Sequence, residues 1–156
     1  MEHCGKHLGR TVYYLCLDSE AIGAVDKLDN WICFAIASGQ YPADEAVEFI
    51  RHALMGGMLE FKAQGAHGED MHDLCDATMV SMEVDEGYPF SDVVTTGNAD
   101  TDLANAFWEC FFATALPDRA DYDDLNVVCV SIDGADYRSE LEGLLARFVD
   151  GWIPDE

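Results

Sequence analysis

The sequence alternates short apolar runs, rich in β-branched and aromatic residues, with segments in which apolar residues recur at helical spacing. The most strand-like run is residues 125–132 (LNVVCVSI), and the other predicted strands are residues 11–17, 32–37, 58–63 and 92–96. Strands that alternate with helices are typical of a parallel sheet, because each helix returns the chain to the same edge and covers one face. The sequence therefore predicts a three-layer α/β sandwich with a mostly parallel sheet of about five strands, similar to flavodoxin-like and Rossmann-like folds.

Four amphipathic helices are predicted between and after these strands. The first begins near Pro42 and ends at Gly56, and a second follows the next strand. The third starts near Asp102, and the last ends before Pro154. The pattern of residues 18–30 is ambiguous and is compatible with a short helix.

The composition favours one folded unit. Hydrophobic residues make up 49% of the 156 positions, enough for a sizeable core. No linker, internal repeat or low-complexity tract interrupts the pattern. We therefore predict a single α/β domain over residues 1–156, in which residues 1–10 form a mobile N-terminal end.

The chain carries 31 acidic and 8 basic side chains, a formal net charge of -23. Nucleic-acid binding depends on Lys and Arg that neutralise phosphates, and the basic residues here are few and scattered, so we expect no direct nucleic-acid binding. Anionic membrane surfaces are disfavoured for the same reason, and no apolar run is long enough to span a bilayer. The N-terminus lacks the apolar core of a signal peptide, and most cysteines lie in apolar segments, so we predict a cytoplasmic protein with free thiols.

Acidic residues concentrate where the predicted strands end and the helices begin. In parallel sheets, ligands bind beyond the carboxyl ends of the strands, so this edge is the candidate binding surface. One interpretation is helix capping, because Asp and Glu accept hydrogen bonds from free amides and interact favourably with the helix dipole. The other is a negative surface that binds a cationic protein partner and includes Glu69, Asp70, Asp73, Asp76, Asp100 and Asp102.

The densest acidic segment also contains histidines. His72, Asp73 and Asp76 have the one-, three- and four-residue spacings at which helical side chains can share a divalent metal, with His67 nearby in the preceding loop. The spacing matches no diagnostic metal motif, and an acid-rich chain produces such clusters by chance. A divalent metal is therefore the alternative to a solvated acidic helix start, and no other cofactor is predicted.

Two turns follow predicted strands at positions where nucleotide-binding folds place a phosphate loop. They contain Ser38-Gly39 and Thr95-Thr96-Gly97-Asn98. Neither has the glycine spacing or the lysine of a phosphate-binding loop, and the surrounding acids would repel phosphate. We interpret both as structural turns and predict no catalytic residue.

The predicted helix from Asp102 to Leu116 has two apolar stripes. One stripe is an ordinary core face, whereas the second includes Trp108 and Phe112. A helix that is apolar nearly all round is either deeply buried or part of an interface. If Trp108 is exposed, it and Phe112 are candidate anchors for the cationic partner.

The order of these segments resembles an uncharacterised family of small acidic bacterial proteins, a domain of unknown function. The similarity covers residues 11–148 and is carried best by Thr95, Thr96, Asp100, Asp102, Leu103, Phe107 and Trp108. The chain departs from the family pattern at Gly97-Asn98. The resemblance implies the α/β fold, and it implies no activity, cofactor or catalytic residue.

Three functional hypotheses follow. The first is a stoichiometric binding protein, such as an immunity protein, antitoxin or inhibitor, whose carboxylates imitate phosphates and cover a basic toxin, nuclease or defence protein. The second is a small-ligand or metal-binding enzyme or sensor with its site at the strand ends. The third is adaptation to a high-salt cytoplasm, which six cysteines and 11% aromatic residues argue against. The first is preferred.

Overall fold

A computed structural model describes residues 1–18, 21–26, 28–90, 92–98, 100–117 and 124–155. The strands are β1 (Glu2–His7), β2 (Arg10–Cys16), β3 (Trp31–Ile36), β4 (Met58–Gln64), β5 (Val94–Asn98) and β6 (Leu125–Ser131). The helices are α1 (Ala21–Ala24), α2 (Ala43–Met55), α3 (Gly68–Glu86), α4 (Leu103–Phe112) and α5 (Arg138–Val149). The predicted α/β class with a mostly parallel sheet is confirmed, and the ambiguous segment contains the short helix α1.

The six strands form one sheet in the order β1-β2-β6-β3-β4-β5. All neighbouring pairs are parallel except β1 and β2, which are antiparallel and joined by a tight turn. The central strand β3 is buried along its whole length, as expected for a parallel strand that is covered on both faces.

The N-terminal ten residues differ from the prediction of a mobile end. Residues 2–7 form β1, which pairs with β2 and has a register shift between His3 and Gly5. The ring of His7 packs edge-on against Phe111 of α4, with 5.1 Å between the ring centroids. This segment is polar and contains two glycines, so its own composition gives little indication of a strand. Pairing with β2 supplies the hydrogen bonds that order it.

Helices cover both faces of the sheet and define two apolar clusters. On one face, α2 and α3 bury Phe49, Ile50 and Met71 against β3 and β4. On the other face, α4 and α5 bury Phe107 and Phe148 against the opposite side of β3 and β6. The sandwich therefore has three layers, and α3 and α4 lie on opposite faces of the sheet.

Strand β4 places charged side chains in the layer below α4. Glu60 and Lys62 are buried, and Lys62 Nζ lies 3.5 Å from Glu60 Oε1. Lys62 Nζ also donates a 2.9 Å hydrogen bond to the carbonyl of Ala113, and the buried Arg10 donates to the carbonyl of Cys110. Cations at these positions satisfy carbonyls at the C-terminal end of α4, where the helix dipole is negative.

The described helices include none that is both long and apolar enough to cross a membrane. All six cysteines are free thiols, and Cys33, Cys75, Cys110 and Cys129 are buried. Burial raises the pKa of these four thiols above the usual value for cysteine, which keeps them in the unreactive protonated form.

Candidate functional site

The carboxyl ends of β4 and β5 meet the start of α3 and of α4 at one corner of the molecule. The amide of Gln64, at the end of β4, donates to the carbonyl of Thr101 over 3.0 Å, which ties the two loops together. Gly97, near the end of β5, lies so close to α3 that an added Cβ would sit 3.3 Å from the Cβ of His72. We define the acidic corner as the carboxylates that these loops and helix starts present: Glu69, Asp70, Asp73, Asp100 and Asp102.

The carboxylates of the acidic corner are open to solvent. The side chains of Asp70 and Asp73 are 72% and 77% exposed. His67 and His72 lie 3.6 Å from Asp70 and Asp73, respectively. Within the described parts of the chain, no Lys or Arg forms an ion pair with any carboxylate of the acidic corner. Among the described residues, therefore, no lysine or arginine offsets the negative potential of the corner through an ion pair.

Capping accounts for only part of this arrangement. Asp102 is the N-cap of α4 and accepts a 2.8 Å hydrogen bond from the amide of Asn105. The N-cap of α3 is His67, whose side chain makes no capping hydrogen bond. Glu69 and Asp70 occupy the first turn of α3, where they interact favourably with the helix dipole. Asp102 is therefore a carboxylate of the acidic corner that caps a helix through a hydrogen bond. This structural role does not need the negative charge, because a neutral side-chain oxygen can accept the same hydrogen bond.

The three residues predicted as metal ligands do not converge on one point. Asp73 Oδ1 lies 3.6 Å from Nδ1 of His72, whereas Asp76 Oδ2 lies 3.5 Å from Nε2. These nitrogens are on different sides of the imidazole ring, so one ion bound to His72 could use only one of the two carboxylates. In the described residues, no group of three or more His, Cys, Asp or Glu side chains could hold a metal ion.

Asp76 takes part instead in a small polar cluster on β5. Thr95 Oγ1 donates to Asp76 Oδ1 over 2.6 Å and lies 3.2 Å from Nε2 of His72. Asp76 is half-buried. Because its Oδ1 accepts the hydrogen bond from Thr95, the carboxylate is not fully free to contact a partner. Among the predicted partner-binding acids, Asp76 is set apart from the acidic corner by this contact.

The strands β3 and β6 are neighbours, and at their carboxyl ends the helices that follow them, α2 and α5, turn to opposite faces of the sheet. This is the position at which open α/β sheets bind ligands. Here Oδ2 of Asp133, which follows β6, accepts hydrogen bonds of 2.9 Å from the backbone amides of both Ser38 and Gly39, which follow β3. Tyr137 donates to the same oxygen over 2.7 Å, and the amide of Ala135 donates to Oδ1 over 3.0 Å.

The environment of Asp133 favours its ionised form. Burial alone would raise the pKa of this carboxyl, but the hydrogen bonds from Ala135, Tyr137, Gly39 and Ser38 outweigh it and hold the pKa below the usual value. The backbone amides of Ser38 and Gly39, which could bind a phosphate, thus already donate to the carboxylate of Asp133. The sequence indicates the Ser38-Gly39 turn, but it does not indicate that the carboxylate of Asp133 binds the amides of this turn.

Trp108 and Phe112 are not part of the acidic corner. Their rings stack at a centroid distance of 4.3 Å on α4, which lies on the opposite face from α3. Trp108 is six residues past Asp102, about 9 Å along the helix axis and away from the carboxyl edge. Trp108 is partly buried, whereas Phe112 is 52% exposed. The predicted partner-binding residues therefore divide into an acidic group and an aromatic group at different places on the surface.

Comparison with known proteins gives one family. A protein-family model described as Domain of unknown function (DUF7684) matches residues 12–148. No curated protein and no solved structure matches the chain. The family match covers most of the sequence, from within β2 to the last turn of α5, and includes every residue of the acidic corner.

Proposed function

We propose that this chain, which belongs to the DUF7684 family, is a stoichiometric binding protein that neutralises a basic nuclease or nucleic-acid-binding protein. It acts as an immunity protein, antitoxin or inhibitor, and the acidic corner takes the place of nucleic-acid phosphates on the partner. Lys and Arg bind carboxylates and phosphates through similar charge-assisted hydrogen bonds, so carboxylates can occupy a phosphate-binding surface.

One observation carries this proposal: the carboxylates of the acidic corner are exposed and have no Lys or Arg partner in the described parts of the chain. Neighbouring exposed charges of one sign do not stabilise the folded state, because they repel each other. They do accelerate association with a cationic surface and help to select that surface over others. The net charge of -23 gives the rest of the protein a negative potential as well, which also attracts a cationic partner.

The contacts of Asp133 at the carboxyl ends of β3 and β6 favour a binding protein over a phosphate-binding enzyme. Asp133 occupies the amides of Ser38 and Gly39, which are the donors a phosphate would need. A carboxylate in this position also repels anionic substrates. The free thiols fit the reducing environment of the cytoplasm, where we place the protein.

The first experiment isolates the partner and measures its affinity as a function of salt. The tagged protein captures binding proteins from a lysate of the source cells at low salt, and a salt gradient elutes them. The purified partner is then titrated by calorimetry, and nuclease activity is assayed at increasing inhibitor ratios. We expect inhibition to saturate at one inhibitor per partner. The affinity should fall on the order of tenfold or more between about 0.1 M and about 1 M salt. Binding that is insensitive to salt contradicts the proposal.

Removal of the corner charges should weaken this complex. In the triple variant Glu69→Gln, Asp70→Asn and Asp73→Asn, we expect the affinity to fall about tenfold to a hundredfold, mainly through a slower association rate. The matched control removes the same number of charges from exposed positions elsewhere, with Glu83→Gln, Asp85→Asn and Glu140→Gln. Equal losses in the two variants would show that total charge matters and that the corner does not.

Two substitutions of Asp102 distinguish its role in helix capping from its proposed role in partner binding. Asp102→Asn keeps an oxygen that accepts from the amide of Asn105, so the free energy of unfolding should change little, whereas affinity for the partner should fall. Asp102→Ala removes the cap as well and should cost about 1 kcal/mol of stability. Urea denaturation and calorimetry on both variants measure the two effects. If neither variant changes the affinity for the partner, Asp102 caps α4 and does not contribute to partner binding.

The cluster of Thr95, His72 and Asp76 favours one alternative, a small-ligand or divalent-metal-binding enzyme or sensor. Thr95 Oγ1 lies 3.2 Å from Nε2 of His72, and this nitrogen and the Asp76 carboxylate face the same point. Metal analysis of the purified protein and thermal shifts with magnesium, manganese and zinc distinguish the two functions. A shift that the substitution His72→Ala abolishes would favour the alternative.

A further inference from the structure

We propose that an apolar row on the outer face of α3 continues the acidic corner and binds apolar side chains of the same cationic partner. We define the α3 stripe as Ala77, Val80 and Val84. The partner segment that fits carries Lys or Arg over the acidic corner and apolar side chains over the α3 stripe. This inference rests on the proposed function, because it adds a second kind of contact to the same interface.

The two faces of α3 have different surroundings. The inner face packs on the sheet through the buried residues Met71, Cys75, Thr78 and Met82. Residues that are three, four or seven positions apart share one face of a helix, so Asp73, Ala77, Val80 and Val84 form a row on the opposite face. All four residues of this row are exposed. The outer face of α3 is therefore open to a partner along these turns.

The two valines of the α3 stripe are not needed by the helix or by the core. Val80 is 59% exposed, and Val84, at 76%, is the most exposed large hydrophobic residue in the described parts of the chain. Valine has a lower helix propensity than Ala, Glu or Lys, because its branched side chain loses rotamer freedom in a helix. Exposed apolar residues are ordinary when they are scattered, but these two are neighbours one helical turn apart. They form a small apolar surface that a partner can cover.

The α3 stripe continues directly from the acidic corner. Asp73 belongs to the corner, and its side chain is 77% exposed. Val80 lies seven residues further along the same row, about 10 Å along the helix axis, and Ala77 lies between them. The outer face of α3 thus changes from carboxylates to apolar side chains within two turns. A single segment of a partner can contact both.

Charge identifies the chemistry of that partner. α3, which the structure describes in full, contains no Lys or Arg. Arg51 of α2 reaches the end of α3, but it donates to both carboxylate oxygens of Glu86, over 2.8 and 2.6 Å. Glu83 and Asp85 lie on either side of the stripe, outside its row, and add to the negative potential there.

The same charges disfavour a second copy of this chain as the occupant. A second α3 would bring its own carboxylates against those of the first, and like charges repel each other. A partner that covers the valines lies beside the exposed carboxylate of Asp73, so it is favoured when it carries cations to that carboxylate. The occupant is therefore a segment of a basic protein in which apolar side chains adjoin Lys or Arg.

The two kinds of contact respond differently to salt. Salt screens the attraction between the acidic corner and the cations of a partner, so this contribution to the affinity falls as salt rises. Burial of apolar surface on the α3 stripe is not screened in this way. The apolar contribution therefore appears as a ratio of two affinities that persists at high salt.

The experiment uses two synthetic peptides as probes. One has a lysine-rich half and a leucine-containing half, and in the other every leucine is replaced by serine. Fluorescence anisotropy measures the affinity of each labelled peptide for the full chain at about 0.1 M and about 1 M NaCl. We expect the leucine peptide to bind about tenfold or more tightly than the serine peptide at both salt concentrations, while both affinities fall at the higher one. Equal affinities, or no binding of either peptide, overturn the proposal.

Substitutions locate the apolar contact. The double variant Val80→Thr and Val84→Thr keeps the shape of both side chains and replaces one methyl group of each by a hydroxyl group. The affinity for the leucine peptide should fall about tenfold. The affinity for the serine peptide should not change, which also shows that the variant is folded. The matched control is Val149→Thr, since Val149 is 57% exposed on α5, on the other face of the sheet. Leucine-peptide binding that survives the double substitution, or that the control weakens equally, overturns the assignment to the α3 stripe.

The proposed function and the α3 stripe can fail separately. The triple variant of Glu69, Asp70 and Asp73 described above should weaken the binding of both peptides and leave the ratio of their affinities unchanged. If the isolated partner binds in a salt-sensitive way and the double valine variant binds it with unchanged affinity, the stripe proposal fails and the proposed function stands. If binding of that partner is insensitive to salt while the peptide ratio holds, the proposed function fails and the stripe remains a site for basic segments with apolar side chains.

Discussion

The substitution Lys62→Met is expected to lower the free energy of unfolding at neutral pH by about 3–5 kcal/mol. Lys62 is the cation nearest to Glu60, whose side chain is fully buried on β4. Methionine has a similar length and leaves no large cavity, but it removes the largest of the favourable interactions of the Glu60 carboxylate, and the amide of Ala115 and the charge of Arg10 offset its burial only in part. It also leaves the carbonyl of Ala113 without the hydrogen bond from Lys62 Nζ. An uncompensated buried charge is costly, because the protein interior solvates it poorly.

A double variant shows whether the lost charge or the lost packing is responsible. When Glu60→Leu is combined with Lys62→Met, both charges are gone, and we expect most of the stability to return. Urea denaturation of the wild type, both single variants and the double variant gives the coupling free energy between the two positions. If the double variant is as unstable as the sum of the single variants, the two side chains do not interact and the explanation fails.

The loss caused by Lys62→Met should depend on pH. Burial raises the pKa of Glu60 above the usual value, and Lys62 opposes this shift. Without Lys62 the folded-state pKa rises further above the unfolded value. The protein then keeps its stability below the unfolded pKa of about 4.5, where Glu60 is protonated in both states, and loses it as pH rises through the folded pKa. The difference from the wild type should therefore be smaller near pH 4 than near pH 7.

The second large effect is expected for Asp133→Ala, which should lower the free energy of unfolding by about 2–4 kcal/mol. The carboxylate accepts hydrogen bonds from the amides of Ser38 and Gly39 on one loop and of Ala135 on another. Alanine leaves these donors without an acceptor and removes the hydrogen bonds that join the two loops at the carboxyl edge. Hydrogen bonds to a charged acceptor are stronger than neutral ones, but water can replace part of them at this half-buried site.

Asp133→Asn should be destabilising as well, although it is nearly isosteric. Both carboxylate oxygens accept from backbone amides, so either orientation of the asparagine places its NH2 group against another N–H donor. The control is Asp85→Asn, since Asp85 is exposed and accepts a hydrogen bond from the side chain of Ser81 within α3. Urea midpoints that are equal for the two asparagine variants would contradict the role assigned to Asp133.

Acid titration tests the same contacts. The hydrogen bonds hold the pKa of Asp133 below its usual value, despite the opposing effect of burial. A lowered folded-state pKa means that the contribution of this carboxylate is present above the unfolded pKa of about 3.8 and is lost as pH falls through the folded value. The stability difference between the wild type and Asp133→Asn should therefore shrink below about pH 4.

Most of the fold was predictable because apolar runs and helical spacing are local properties. The strand over residues 125–132 and the helix that starts near Pro42 agree with β6 and α2 to within about two residues, as expected for element ends. The strand β1 was not predictable in this way. Its polar and glycine-containing sequence forms a strand through pairing with β2 and through contact of His7 with α4.

The candidate site was predictable in part for the same reason. Acids that follow strands meet at the carboxyl edge of any parallel sheet, so Glu69, Asp70 and Asp102 could be assigned there without coordinates. The position of Trp108 could not, because the face of the sheet that a helix covers depends on the crossover. The contact of Asp76 with Thr95 joins residues of two elements whose register is set by packing.

The sequence by itself determined the class of fold and the acidic edge, since periodicity and residue order are properties of the chain. Tertiary structure alone decided which charged groups are neutralised and which remain open. It buried Glu60 with Lys62, paired Asp133 with two backbone amides and left the acidic corner without a lysine or arginine among the described residues. These outcomes depend on distances of a few ångströms between residues far apart in the chain, over which electrostatic energies change steeply.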